Sequence, residues 1–100
     1  MIRIVKLTFK PEHVQDFLDH FETVKHDING FPGCKGMKLL QDQDVSNIFF
    51  TFSEWDSNDD LDNYRKSELF GGIWPKVKLW FDQKAEAWSV NQMFDGFQSK

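Results

Sequence analysis

The sequence predicts an α+β domain with the order β-α-β-β-α-β and an antiparallel sheet. Three observations carry this reading. Residues 2–9 and 48–52 are apolar on both alternating faces, as in strands covered on two sides. Residues 12–28 hold an apolar stripe at helical spacing. A polar stretch at 42–46 separates two strand-like runs and reads as a hairpin loop.

The elements follow in order. In 2–9, Ile2, Ile4, Lys6 and Thr8 point one way and Arg3, Val5, Leu7 and Phe9 the other. Pro11 suits a first helical position, where its missing N–H costs nothing. In the helix 12–28, Val14, Phe17, Phe21, Val24 and Ile28 share one stripe, with Leu18 at its edge. Gly30 stops that helix, and Phe31-Pro32-Gly33 is a turn. Residues 34–41 form the second strand, with Met37 and Leu39 on one face, and 47–54 the third. Ser57 caps a helix over 57–66, with Asp59 and Asp60 in the first turn, where negative charge meets the helix dipole. Residues 68–81 continue as a helical stretch with Phe70, Ile73, Trp74, Val77, Trp80 and Phe81 on its apolar side. Gly71-Gly72 and Pro75 predict a break or kink near 74–75. The last strand spans 84–93, with Glu86, Trp88 and Val90 alternating against Ala85, Ala87 and Ser89. The tail 94–100 carries two Phe among polar residues and reads as a segment that docks on a partner subunit or frays.

This order is the ferredoxin-like plan, in which the first and third strands lie centrally. Both are apolar on two faces, whereas the helices can cover only one. A second copy of the chain is therefore expected on the other face, as a homodimer.

Composition sets the outer limits. One hundred residues make one domain, 1–100. Aromatic content is 16%, with 11 Phe, and such a load needs a core, a pocket or an interface. A net charge of −4 with no Lys/Arg run argues against a nucleic-acid partner. No segment is long and apolar enough to span a membrane, and the start MIRIVKLTFK lacks the apolar core of a signal peptide. The single cysteine, Cys34, excludes an internal disulfide and suits a reducing compartment, which places the protein in the cytoplasm. Its plainest role is that of a small strand residue.

Candidate chemistry concentrates on the helices. No metal-ligand spacing, phosphate-binding Gly loop or Ser-His-Asp motif is present, so neither metal nor cofactor is expected. His13, His20 and His26 all fall on the first helix. His26 points away from the apolar stripe. His13 and His20 share one flank of it, where edge histidines with solvated tips are the plainer reading and a pocket rim the functional one. His20, near the helix middle, is placed to move a proton near neutral pH. Tyr64 and Trp74 read either as core aromatics or as walls of a pocket for a flat ligand, with the Tyr64 hydroxyl orienting it. The acidic run Asp56, Asp59, Asp60 and Asp62 reads as helix capping and a solvated face.

Two adjoining motifs carry a family resemblance. Residues 49–57 read FF-x-F-x-x-W-x-S, and residues 61–70 read L-x-x-Y-x-x-S-x-x-F. The pattern resembles the antibiotic biosynthesis monooxygenase family of the dimeric α/β-barrel superfamily, over about residues 1–92 and most specifically over 49–70. The resemblance implies a dimer and, in one branch, oxidation of quinols and fused-ring phenols by O₂ without metal or flavin. In haem-degrading members it implies an Asn on the first strand, a Trp on the second helix and a His ligand beyond it. Those positions here hold Val5, Tyr64 and Trp74, and all three depart.

The resulting expectation is a cofactor-independent monooxygenase acting on a quinol or related aromatic. His20 and Tyr64 are its catalytic residues, and His13, Phe17, Val5, Phe50 and Trp74 contact substrate. The alternative is a non-catalytic small-ligand-binding or stress-related dimer on the same fold. Polar groups converging on the pocket would favour the first, and a wall of Phe, Trp and Val alone the second.

Overall fold

A computed structural model describes residues 1–97. The elements are β1 (Ile2–Phe9), α1 (Val14–Asn29), β2 (Cys34–Gln41), β3 (Ile48–Trp55), α2 (Asn58–Arg65), α3 (Glu68–Lys78) and β4 (Phe81–Val90). A single 3-10 turn, Pro11–His13, leads into α1. The four strands form one antiparallel sheet in the order β2-β3-β1-β4, with β3 and β1 central. This is the ferredoxin-like arrangement, with the second crossover built from two helices.

Strand alternation sorts the side chains into two faces. Leu7, Phe9 and Phe49 turn inward and pack with Phe17 and Ile28 of α1 and with Ile73 and Val77 of α3. Phe9 is fully buried, its ring stacked on Phe17 at 4.3 Å and edge-on to Phe49 at 5.9 Å. The expected stripe on α1 holds: Val14, Leu18, Phe21 and Val24 flank the same cluster. Met37 and Leu39 extend it across β2.

The opposite face carries Ile4, Phe50 and Phe52 on the central strands, half-buried and without helical cover. Leu40, Trp88 and Val90 on the edge strands are 47, 45 and 39% exposed.

The helix ends follow their local chemistry. Ser57 Oγ accepts from the Asp60 amide at 3.1 Å and caps α2. Ser67 Oγ accepts from the Phe70 amide at 3.1 Å to cap α3 and donates to the Tyr64 carbonyl at 2.6 Å. One side chain thereby closes α2 and opens α3.

Three boundaries differ from the expectation by three residues each. Helix α3 runs through Pro75 instead of breaking there, and it ends at Lys78. Pro75 removes only the bond its own N–H would make, and burial of Ile73 and Val77 on either side holds the helix. Trp80 and Phe81 consequently lie outside α3. Strand β4 starts at Phe81, three residues before the expected 84, because its register against β1 shifts twice between Lys6 and Phe9 and extends the pairing to Phe9↔Phe81. It ends at Val90, short of the expected 93. In the tail, Phe94 and Phe97 are exposed, and residues 98–100 of the expected docking segment lie outside the described residues.

Gly33 is the position where backbone geometry demands glycine. Its φ is 85°, and a Cβ there would overlap the Asp60 side chain. The turn it makes also accepts the Asp56 amide at 2.8 Å and so seats the start of α2. Gly33→Ala is therefore expected to destabilise by more than about 1 kcal/mol in urea unfolding. Gly71→Ala, within α3 and facing open space, is expected to stabilise by roughly 1 kcal/mol. Equal effects of the two substitutions would refute the assignment.

Candidate functional site

The helices and the sheet do not close on each other everywhere. Between them lies a cavity of about 470 Å³, a size suited to a small organic molecule. Val5 and Leu7 of β1, Phe17 and Val24 of α1, and Trp74 and Val77 of α3 supply much of its apolar wall.

Aromatic rings shape one side. Trp55, at the end of β3, is buried and lies 5.2 Å from the Tyr64 ring. Tyr64 meets Phe70 at 5.3 Å, Phe70 stacks on Trp74 at 5.6 Å, and Trp74 meets Phe81 edge-on at 5.5 Å. Ser67 holds this row in register, since it ties the carbonyl of Tyr64 to the amide of Phe70. Such rings are stiff and leave a defined slot for a flat ligand.

Polar groups interrupt the wall at several points. The His20 ring belongs to it and meets Trp80 edge-on at 5.8 Å. Burial, and then the charge of Lys76, hold the His20 imidazole below its usual pKa, so it is neutral at neutral pH. Its Nε2 is buried without a hydrogen-bond partner among the described residues. Tyr64 behaves oppositely in sign but reaches the same neutral state. Burial, with a smaller push from Cys34, raises its phenol to about 12. At neutral pH it is a hydrogen-bond donor and not a base. Burial likewise raises the Cys34 thiol, which leaves it a poor nucleophile.

A second polar group lies where Arg3 of β1 and Arg65 of α2 join the wall with Ser53 and Thr51 of β3. Arg3 Nη1 donates to Ser89 Oγ at 3.0 Å, and Trp55 Nε1 donates to Ser53 Oγ at 2.9 Å.

The expected site residues divide. Val5, Phe17, His20, Tyr64 and Trp74 come together around the cavity. Phe50 does not: it pairs with Lys6 and Leu40 on the uncovered face, opposite the cavity, because β3 turns Phe49 inward. His13 does not either. Its Nδ1 is engaged by Asp16 Oδ2 at 2.8 Å, in the turn before α1. Arg3 and Arg65 were missed by the sequence reading. The available signal was a single charge, Arg3, on an otherwise apolar strand face. Among the described residues no group of three His, Cys, Asp or Glu side chains could hold a metal ion, and no helix is long and apolar enough to cross a membrane.

With this geometry in view, similarity to known proteins becomes informative. A solved structure of a conserved protein from Methanosarcina mazei Go1 is 28% identical, with a TM-score of 0.80 over 86% of each chain. A crystal structure of an antibiotic biosynthesis monooxygenase is 20% identical, with a TM-score of 0.85 over 93% of this chain and 99% of that one, a likeness of fold. A Haloarcula marismortui protein named "Putative heme-binding protein" is 35% identical over 63 residues, which is 63% of this chain. The chain spans only 9% of the length of that curated relative. The antibiotic biosynthesis monooxygenase family model matches residues 1–73, from β1 to the first turns of α3, which include Trp55, Tyr64 and Phe70 of the ring-lined wall. The chain belongs to the antibiotic biosynthesis monooxygenase family.

Proposed function

We propose that this chain is a homodimeric, cofactor-independent monooxygenase whose cavity takes a quinol or a related phenol. The observation that supports this reading is the convergence of His20 and Tyr64, from different helices, on one apolar cavity. A wall of hydrocarbon alone would have favoured a binding module.

The chemistry asked of the protein is modest. A deprotonated phenol gives an electron to O₂ more readily than the neutral phenol does. The neutral His20 imidazole takes that proton, its lowered pKa keeping the base form at neutral pH. The Tyr64 hydroxyl donates a hydrogen bond that orients the ligand. The apolar wall excludes water and fixes the flat ring. Substrate and O₂ supply all the electrons.

The name of the Haloarcula relative raises haem as a second occupant. Val5, Tyr64 and Trp74 stand at the positions that haem-degrading members of the family use, and all three line the cavity. An indole offers iron no lone pair. These residues do not fit haem.

Assembly follows from the uncovered sheet face. Ile4, Phe50, Phe52, Leu40 and Trp88 form an apolar surface that a second copy would bury. The protein is expected to elute with twice its chain mass of 11.9 kDa by light scattering, and Ile4→Asp to dissociate or unfold it. A wild-type mass of one chain would refute the dimer.

Proton NMR is expected to show His20 titrating below ~6.5, the ordinary histidine value. Lys76→Gln should raise that pKa only in part, since burial is the larger cause. Because the folded pKa is depressed, the neutral ring favours folding above ~6.5, and this contribution is lost as pH falls from there through the lower folded pKa. A normal His20 titration would remove the physical basis for the base.

Wild-type protein is expected to accelerate O₂ uptake by a reduced quinol with nothing added. His20→Ala should lower that rate by on the order of 10²–10⁴. Tyr64→Phe, which keeps the ring and loses only an orienting donor, should cost less. Uptake equal to the protein-free control across several quinols would overturn the oxygenase reading. Haemin titration is expected to give no stoichiometric Soret shift. A shift abolished by His20→Ala would replace the oxygenase reading with haem binding.

A further inference from the structure

The oxygenase reading accounts for His20, Tyr64 and the rings, and leaves Arg3 and Arg65 without a task. Both line the cavity, one from the centre of the sheet and the other from the last turn of α2. Arg3 lies on the inward face of β1, in line with Val5 and Leu7, where a charge has no packing purpose. Burial and the nearby Arg65 both work against its charge, and Asp62 opposes them only as the smallest influence. No carboxylate forms an ion pair with either guanidinium among the described residues, where the ion pairs are Lys6–Glu86, His13–Asp16 and Lys25–Glu22. Arg3 spends one N–H on Ser89 Oγ, and its remaining donors are unassigned. Two like charges at one apolar cavity create a positive potential that a bound anion would relieve.

We propose that the cavity takes an aromatic ligand bearing a carboxylate, with the ring against Trp74 and Phe70 and the carboxylate held by Arg3 and Arg65. A guanidinium fork matches a carboxylate in a planar, two-bond geometry. The apolar wall weakens the competition from water that such a pair meets at an open surface. Arg65, which is exposed, is suited to capture the anion at the entrance, and Arg3, deeper, to fix it. The ligand therefore enters with its ring toward α3 and His20 and its charge toward the end of α2. This rests on the cavity being the ligand site, as proposed above, but not on any reaction with O₂.

The test uses two redox-inert probes of equal size, 2-naphthoate and the neutral 2-naphthamide, titrated into the intact protein by calorimetry. Naphthoate is expected to bind at least about tenfold more tightly at low ionic strength, with the margin shrinking as salt is added. Arg65→Gln should cost naphthoate about tenfold and leave naphthamide unchanged. Arg3→Gln should do the same, and if that strand substitution unfolds the protein, Arg65→Gln decides alone. Equal affinity of the two probes for wild type overturns the proposal, as does a preference that survives Arg65→Gln. Absence of binding by both probes overturns it together with the cavity as ligand site. Failure of O₂ uptake while naphthoate binds through the arginines would remove the oxygenase reading and leave this proposal standing.

Discussion

The whole arrangement depends on a mismatch of cover. A four-stranded antiparallel sheet with two central strands has two large faces, and three short helices can shield only one of them. On that side Phe9, Phe17 and Phe49 build a dry core of stacked and edge-on rings. On the other, Phe50, Phe52 and Trp88 keep apolar surface that water penalises in proportion to its area. The fold thus builds its core on one side and leaves apolar surface uncovered on the other.

The covered side is itself unevenly filled. Cores of ordinary density have few voids larger than a water molecule, because empty space forfeits dispersion contacts. A cavity of about 470 Å³ is therefore a standing cost to stability. It persists because its walls are set by elements anchored elsewhere. Ile73 and Val77 pin α3 to the core, and Ser67 fixes where α2 gives way to α3. Tyr64, Phe70 and Trp74 then form a stiff row that cannot collapse inward. A bound flat molecule would recover the missing contacts.

Burial gives the polar groups of this cavity their chemical states, and it acts with different sign on each. It lowers the pKa of His20 and raises that of Tyr64, so both are neutral at physiological pH, the first a base and the second a donor. It also disfavours the charge on Arg3, yet a guanidinium stays protonated in proteins. The outcome is two neutral groups able to exchange or share protons and two fixed cations.

Local sequence determined most of the architecture. The stripe Val14–Phe17–Phe21–Val24–Ile28, the Ser57 cap and the two-faced apolar strands each depend on near neighbours, and each stands in the structure as read. The motif around 49–70 marked the family for the same reason. What local pattern could not settle was parity and depth. Phe49 and Phe50 are chemically identical, and only the pairing of β3 with β1 turns one into the core and the other onto the outer face. His13 and His20 share a flank of α1, and only the place where the helices part from the sheet selects His20. Gly71-Gly72 and Pro75 read as a break or kink near 74–75, and with Ile73 and Val77 packed in the core the helix runs unbroken through Pro75. Arg3 and Arg65 are 62 positions apart in sequence and become one feature only when β1 and the end of α2 meet at the same cavity. Periodicity reports which residues share a face. Where distant faces meet is a property of the packed chain, and the candidate chemistry arises there.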